Sequence, residues 1–325
     1  MLMLTEDEVR ALLPMDECVD VLDRLFQESA KGETSNMSRY RLPLPRGSHQ
    51  VMAGSVPSMG ASGLKTYASG AGGGSQMIVL LYSTETAEPI AMMAANNLGA
   101  LRTGAASGVA TRYMAREDAS TVGVIGSGSQ ARTQLAAVCV ARPIKQAWVY
   151  SRKPENREAF AKEMSAELGV PVTAVDSPEA AVREADVVCV ITNSREPVVD
   201  GNAFRAGTHI NAAGSNNWVR REIDETAIKR SSLIVVDDLA DARIECGELI
   251  WAAERRAFRW EKAVELRDVV GGRVQGRPSA DAITLFESQG LAIEDVAAGM
   301  HVYRKALERQ GLCVLGHRNG EALPE

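Results

Sequence analysis

Between residues 38 and 95 the chain alternates short apolar or every-other-residue apolar runs with Gly, Pro and Ser breaks. QVMAGSV (50–56), GLKTYAS (63–69), SQMIVLLYS (75–83) and PIAMMAA (89–95) predict half-buried strands that turn back on one another. Ahead of them, Thr5-Glu6-Asp7-Glu8 has the spacing of a capping box and predicts a short helix. A second helix is predicted after Pro14, with Val19, Leu22, Leu25 and Phe26 on one face. Over 97–114, Leu98, Leu101, Ala105 and Val109 form one helical stripe.

After Asp118 the period changes. VGVI, AWVY, VTAV, VVCVIT, HINAAG and LIVVDD are short β-type runs, most of them separated by helical segments. That alternation predicts an α/β fold with a parallel, doubly wound sheet. A last helix is predicted over 301–312, and the tail GHRNGEALPE is polar enough to fray. The run Gly70-Ala71-Gly72-Gly73-Gly74-Ser75 precedes a strand, whereas a phosphate loop stands between a strand and a helix. It reads as a hairpin loop with freedom to move over a site.

The most informative junction is VGVIGSGSQARTQLAAV, residues 122–138. Gly126 permits a tight turn, and Gly128 lets backbone N–H groups approach a pyrophosphate. Ala131 replaces the third glycine of Gly-x-Gly-x-x-Gly and is small enough for close packing of helix on strand. Ser127, Ser129 and Gln130 complete the turn, and a helix starting near Ser129 aims its positive end at phosphates. Alone, this stretch fits a dinucleotide cradle and a bare strand-to-helix turn equally well. The next strand separates the two readings. QAWVY ends in Ser151-Arg152-Lys153, about 20 residues past the glycines, where an NAD site carries Asp or Glu for the ribose. A hydroxyl and two cations suit a 2′-phosphate instead, so NADP(H) is expected in preference to NAD(H). Thr192-Asn193-Ser194 follow VVCVI at the carboxyl end of a strand, where ligands of open α/β sheets lie.

Composition narrows the classes. At 325 residues the chain is long enough for two domains, and its 45% apolar and 24% charged content is that of an ordinary globular protein. A net charge of −6 without a dense Lys/Arg run argues against nucleic acid as a partner. No apolar stretch reaches the ~18 residues of a membrane helix. The start, MLMLTEDEVR, puts acids where an export signal carries cations. Cys18, Cys139, Cys189, Cys246 and Cys313 form no C-x-x-C pair, which fits reduced thiols in a cytoplasmic protein. His49, His209, His301 and His317 show no metal-ligand spacing, and no metal site is expected.

Four stretches carry a resemblance. Gly63-Leu64-Lys65, LRTGAAS at 101–107, the IGSGSQA turn and LFESQGLAIEDVA at 285–297 resemble the ornithine cyclodeaminase/mu-crystallin family, in that order and over nearly the whole chain. The resemblance implies a substrate-binding and dimerisation domain, 1–114 with 302–325, around an inserted Rossmann domain, 115–301. It implies a homodimer with a nicotinamide cofactor and a small imino or amino acid as substrate. Carried over by motif, Lys65 and Arg102 are substrate-site residues, and Thr103 beside Arg102 joins the cofactor-binding set. Arg39 and Arg41 in SRYRLPLP compete for a further arginine position, with Arg41 preferred. Physical chemistry agrees with these roles. A guanidinium grips a carboxylate at two points, and a lysine beside arginines has a destabilised ammonium that can exchange a proton near neutral pH.

One departure changes the expected reaction. Cyclodeaminases of this family carry an aspartate after a glycine, in a stretch resembling G-x-D; here Asn216 stands in that place. An amide cannot take up a proton at neutral pH, although it still donates and accepts hydrogen bonds. The expected activity is therefore NADPH-dependent reduction of a small imine with an adjacent carboxylate, such as a five- or six-membered cyclic ketimine. Lys65 would supply the proton and Asn216 would orient the nitrogen or a water. The alternatives are an alanine-type amino-acid dehydrogenase, an ornithine cyclodeaminase, and an NADPH-dependent ligand-binding protein. Gln76, Met52 and Trp218 are candidate walls of the substrate pocket.

Overall fold

The computed structural model describes residues 1–70 and 75–309. The centre of the glycine-rich run, the polar tail, Cys313 and His317 lie outside the described residues. The first part of the chain runs β1 (Leu2–Leu4), α1 (Glu6–Leu12), α2 (Met15–Ala30), β2 (Ser35–Leu44), β3 (Gly47–Val56), β4 (Ala61–Gly70), β5 (Met77–Ser83), β6 (Pro89–Ala94) and α3 (Asn96–Met114). The predicted capping box opens α1, with Thr5 and Glu8 bonded reciprocally. The six strands form one sheet in the order β1-β6-β5-β4-β3-β2, antiparallel except for β1 on β6. The apolar face of α2 packs into the main core, with Val19, Leu22, Leu25 and Phe26 all buried. Each such side chain contributes about 1.5–3 kcal/mol.

The second part runs β7 (Thr121–Ile125), α4 (Ser129–Ala141), β8 (Gln146–Tyr150), α5 (Pro154–Leu168), β9 (Val172–Ala174), α6 (Pro178–Val182), β10 (Val187–Val190), β11 (His209–Ala212), α7 (Glu225–Arg230), β12 (Ser231–Val236), α8 (Leu239–Glu245), α9 (Gly247–Glu254), β13 (Ala263–Glu265), α10 (Leu266–Val270), β14 (Ile283–Glu287) and α11 (Ala292–Arg309). Its eight strands are all parallel, in the order β13-β12-β14-β11-β10-β7-β8-β9. From β7 the chain proceeds outward to β8 and β9, then returns to β10 on the other side. The crevice opens where that direction reverses, at the carboxyl ends of β7 and β10.

Beyond the short strands β1 and β13, which no apolar run announced, two elements differ from expectation. β14, with sequence ITLFE, is a fully buried strand between β11 and β12 that the alternation did not announce. The last helix begins at Ala292, not near 301, and its first turn carries Glu294 and Asp295, buried partners of cations. This helix leaves the parallel sheet and packs on β3 and β4.

α3 joins the two sheets. Most of its surface is buried, and its small residues let α4 come close: a Cβ on Gly104 would stand 2.4 Å from Thr133 O. Its N-terminus has no cap of its own. Glu6 of α1 supplies one, accepting the Asn96 N–H at 2.7 Å and the Asn97 N–H at 2.9 Å. A carboxylate there satisfies orphan donors and the positive end of the helix. This fixes the segment that carries Arg102 and Thr103.

Candidate active site

A cleft of about 1420 Å³ runs between the two sheets along the carboxyl edge of the parallel one. At one end is the glycine turn. Gly126 has φ +117°, and a Cβ there would lie 2.2 Å from Ile191 O, so only glycine fits. Gly128 caps α4 without any side-chain hydrogen bond, and nothing stands within 4 Å of where its Cβ would be. Open space beside a helix start that has no side-chain cap suits an anion. Arg132 secures the turn from behind, donating to Ser127 O at 3.0 Å and Gly128 O at 3.1 Å. Ser127 Oγ donates to Ser151 Oγ at 2.9 Å, tying the turn to the end of β8. Arg157 donates to Ser151 O at 3.1 Å and lies over the Tyr150 ring. This arrangement fits a dinucleotide, with the exposed Arg152 and Lys153 at its outer end.

Cations gather at the other end. Lys65 on β4 is 2% exposed, with Nζ 2.7 Å from Asp295 Oδ2. Burial and the neighbouring Arg102 bring its ammonium down to about 7, against the pull of Asp295. Arg102 pairs through Nε with Asp295 Oδ1 at 3.1 Å and through Nη1 with Glu294 Oε2 at 2.6 Å. Burial opposes the Arg102 charge, but these two acids outweigh it and hold the guanidinium above its ordinary range. Asp295 thus bridges the lysine and the arginine. Arg39 on β2 pairs with Glu245 Oε2 at 2.5 Å and donates to Gln289 O at 2.8 Å. Gly290, with φ +82°, lies under Arg102: a Cβ there would meet Nη1 at 2.3 Å. The Gln289 and Gly290 N–H groups donate to Asp237, at 2.7 and 2.6 Å.

Arg39, Lys65, Arg102, Thr103, Gly126, Ser127, Gly128, Ser129, Gln130, Ser151, Arg152, Lys153, Thr192, Asn193, Ser194 and Asn216 all line this cleft. Ala131 does not; it is buried against the strand, in the packing role expected of it. Arg41, the preferred arginine, is also outside the lining. Its guanidinium pairs with Glu245 and donates to the Asn216 backbone carbonyl at 2.7 Å, so it positions the Asn216 loop while Arg39 faces the cleft. Of the candidate wall residues, Trp218 is 55% exposed and Met52 lies buried against Arg39 Nε. Ser75 and Met77 line the cleft where Gln76 was considered. Sequence reasoning missed the acids Glu245, Glu294 and Asp295, and the cleft residues Tyr67, Asn96 and Gln289.

The profile of the ornithine cyclodeaminase/mu-crystallin family matches residues 1–310. A Delta(1)-pyrroline-2-carboxylate reductase of Bacillus cereus is 30% identical over 318 residues, covering 95% of this chain and 98% of the relative. The structure of the Thermococcus litoralis Delta(1)-pyrroline-2-carboxylate reductase, in complex with NADH and L-proline, superposes with a TM-score of 0.91 at 36% identity, over 95% of this chain and 98% of that one. An archaeal alanine dehydrogenase dimer with bound NAD superposes with a TM-score of 0.90 at 34% identity, over 95% and 97%. Matching from end to end in sequence and in fold, the chain belongs to the ornithine cyclodeaminase/mu-crystallin family.

Proposed function

We propose that this protein is an NADP(H)-dependent reductase of a small imine bearing a carboxylate next to the C=N bond, a cyclic ketimine of five or six members. The observation that carries the reading is Lys65: a buried ammonium lowered to about 7, beside two arginines, in the same cleft as an uncapped glycine turn. The relatives named above act on a pyrroline carboxylate or are called alanine dehydrogenase, and both bound structures hold a nicotinamide cofactor, which supports the same class. Bound along the cleft, such a cofactor supplies the reducing equivalent.

The chain's own groups do the rest. Arg102 and Arg39 hold the substrate carboxylate; their anchoring acids fix the guanidinium planes before substrate arrives, so little orientation remains to be paid on binding. Lys65 gives its proton to the imine nitrogen, and a group that titrates near the working pH is suited to that task. Asn216 lines the same cleft and offers a hydrogen bond but no proton uptake, which disfavours a cyclodeaminase. The first sheet with α11 serves as the substrate unit, and the parallel sheet as the cofactor unit. Two copies pair through the open face of the first sheet; the exposed Ile78, Tyr40 and Leu42 on its strands support this. Sedimentation should give twice the 34.8 kDa chain mass, and a monomer would overturn the pairing.

The test is loss of absorbance at 340 nm with NADPH, then NADH, against five- and six-membered cyclic 2-carboxy imines. Faster oxidation of NADPH is expected. Arg152→Ala should weaken NADPH binding about tenfold while leaving NADH nearly unchanged, as expected when a charged hydrogen bond is lost. Equal weakening of both would remove the 2′-phosphate assignment. Turnover only with NADP+ and amino acids would favour the dehydrogenase reading. Tight NADPH binding without any turnover would favour a ligand-binding role.

A further inference from the structure

The loops that end β10 and β11 share one carboxylate. The ladder between these strands runs as far as Ala213 N–H to Val190 O, at 3.0 Å. The next donors on each strand, the Thr192 and Gly214 N–H groups, turn instead to Glu222, one to each oxygen, with Gly214 at 2.6 Å. Glu222 is 1% exposed and is absent from the cleft lining, whereas Thr192, Gly214 and Asn216 belong to it. The Glu222 backbone is fixed as well, its N–H donating to Glu248 Oε1 at 2.7 Å. Gly214 admits no side chain: a Cβ would stand 2.3 Å from Glu222 Oε2 and 2.4 Å from Thr192 N.

We propose that Glu222 is a positioning residue for the nicotinamide cofactor, a buried clip that holds the loops after β10 and β11 together and thereby shapes the cofactor edge of the cleft. The proposal rests on reading that cleft as a cofactor site. Only an ionised carboxylate accepts both N–H groups well. A protonated carboxyl or an amide sets a donor against one of them. The groups facing Glu222 are Glu248 at the start of α9, Glu287 at the end of β14 and the Cys246 thiol between them, with Arg221 beside Glu248. Burial and Glu248 push Glu222 up to about 8. The sign follows: the folded protein holds a proton on Glu222 below that pH, and the clip closes fully as pH rises through it. Cofactor affinity should rise over the same range.

The experiment uses NADH, which lacks the separately titrating 2′-phosphate, and reads its dissociation constant from nicotinamide fluorescence at pH 6.5 and 9. The wild type should bind about tenfold more tightly at pH 9, and Glu222→Gln should bind alike at both, about tenfold more weakly than wild type at pH 9. Gly214→Ala, which displaces the carboxylate while leaving it present, should show the same flat profile and serves if Glu222→Gln does not fold. A variant that keeps the wild-type pH dependence, or binds like wild type at pH 9, overturns the clip alone. A wild type that binds neither NADH nor NADPH overturns the cofactor reading and the clip with it.

Discussion

Replacing Lys65 with methionine should lower imine reduction by about 10²–10⁴-fold, the range by which a positioned proton donor accelerates such a step. Cofactor affinity should change little, because Lys65 lies among the buried cations of the cleft and the glycine turn stands elsewhere in it. Methionine suits the comparison. It has nearly the length of lysine, fills the same buried channel between Met52 and Val79 on the neighbouring strands, and leaves Asp295 paired with Arg102. The wild-type rate should also fall as pH rises through about 7, since a lysine lowered to that value loses its proton there. The variant should lack this limb. Stopped-flow turnover against pH, with the NADPH dissociation constant measured alongside, decides the matter. Equal losses in turnover and cofactor binding would mean that Lys65 shapes the cleft and does not supply the proton.

The basis of that prediction was partly legible in the sequence. Period and turn residues announced both sheets, the capped first helix and the glycine turn, because each rests on neighbours within a few positions. The family motifs marked Lys65 and Arg102. Which of Arg39 and Arg41 faces the cleft could not be read, since both sit two apart on one strand and the answer depends on Glu245, more than 200 residues away. The acids were missed for the same reason. Glu294 and Asp295 in AIEDVA have no partner nearby in the chain, and only the docking of α11 on β4 and α3 makes them buried counter-ions. β14 was hidden because its short run ITLFE has no alternation to show and, unlike the equally buried VVCV of β10, is broken by Thr284 and ends in Glu287. Long-range pairing of charges decides the chemistry here, and spacing along the chain carries no record of it.

That pairing is exposed most directly by Asp295→Asn. One carboxylate holds Lys65 Nζ at 2.7 Å and Arg102 Nε at 3.1 Å, all three groups being buried. Removing its charge leaves two cations facing each other, with Glu294 the remaining acid on Arg102. Breaking a buried pair in this way costs about 3–5 kcal/mol, so the melting temperature should fall. The kinetic effect separates this from ordinary damage. Burial and Arg102 already depress the Lys65 ammonium, and Asp295 opposes them. Without it the pKa falls further, and less lysine carries a proton at neutral pH. Losing about 1.4 kcal/mol of support lowers that protonated fraction about tenfold. Reduction at pH 7.5 should therefore drop by nearly that factor, about eightfold, and the loss should shrink as the pH is lowered towards 6, where lysine regains its proton. A general loosening of the site would depress the rate by the same factor at every pH. If the pH limb of Asp295→Asn overlays that of the wild type, Asp295 does not set the Lys65 proton, and its contact with Arg102 is an anchor for α11 alone.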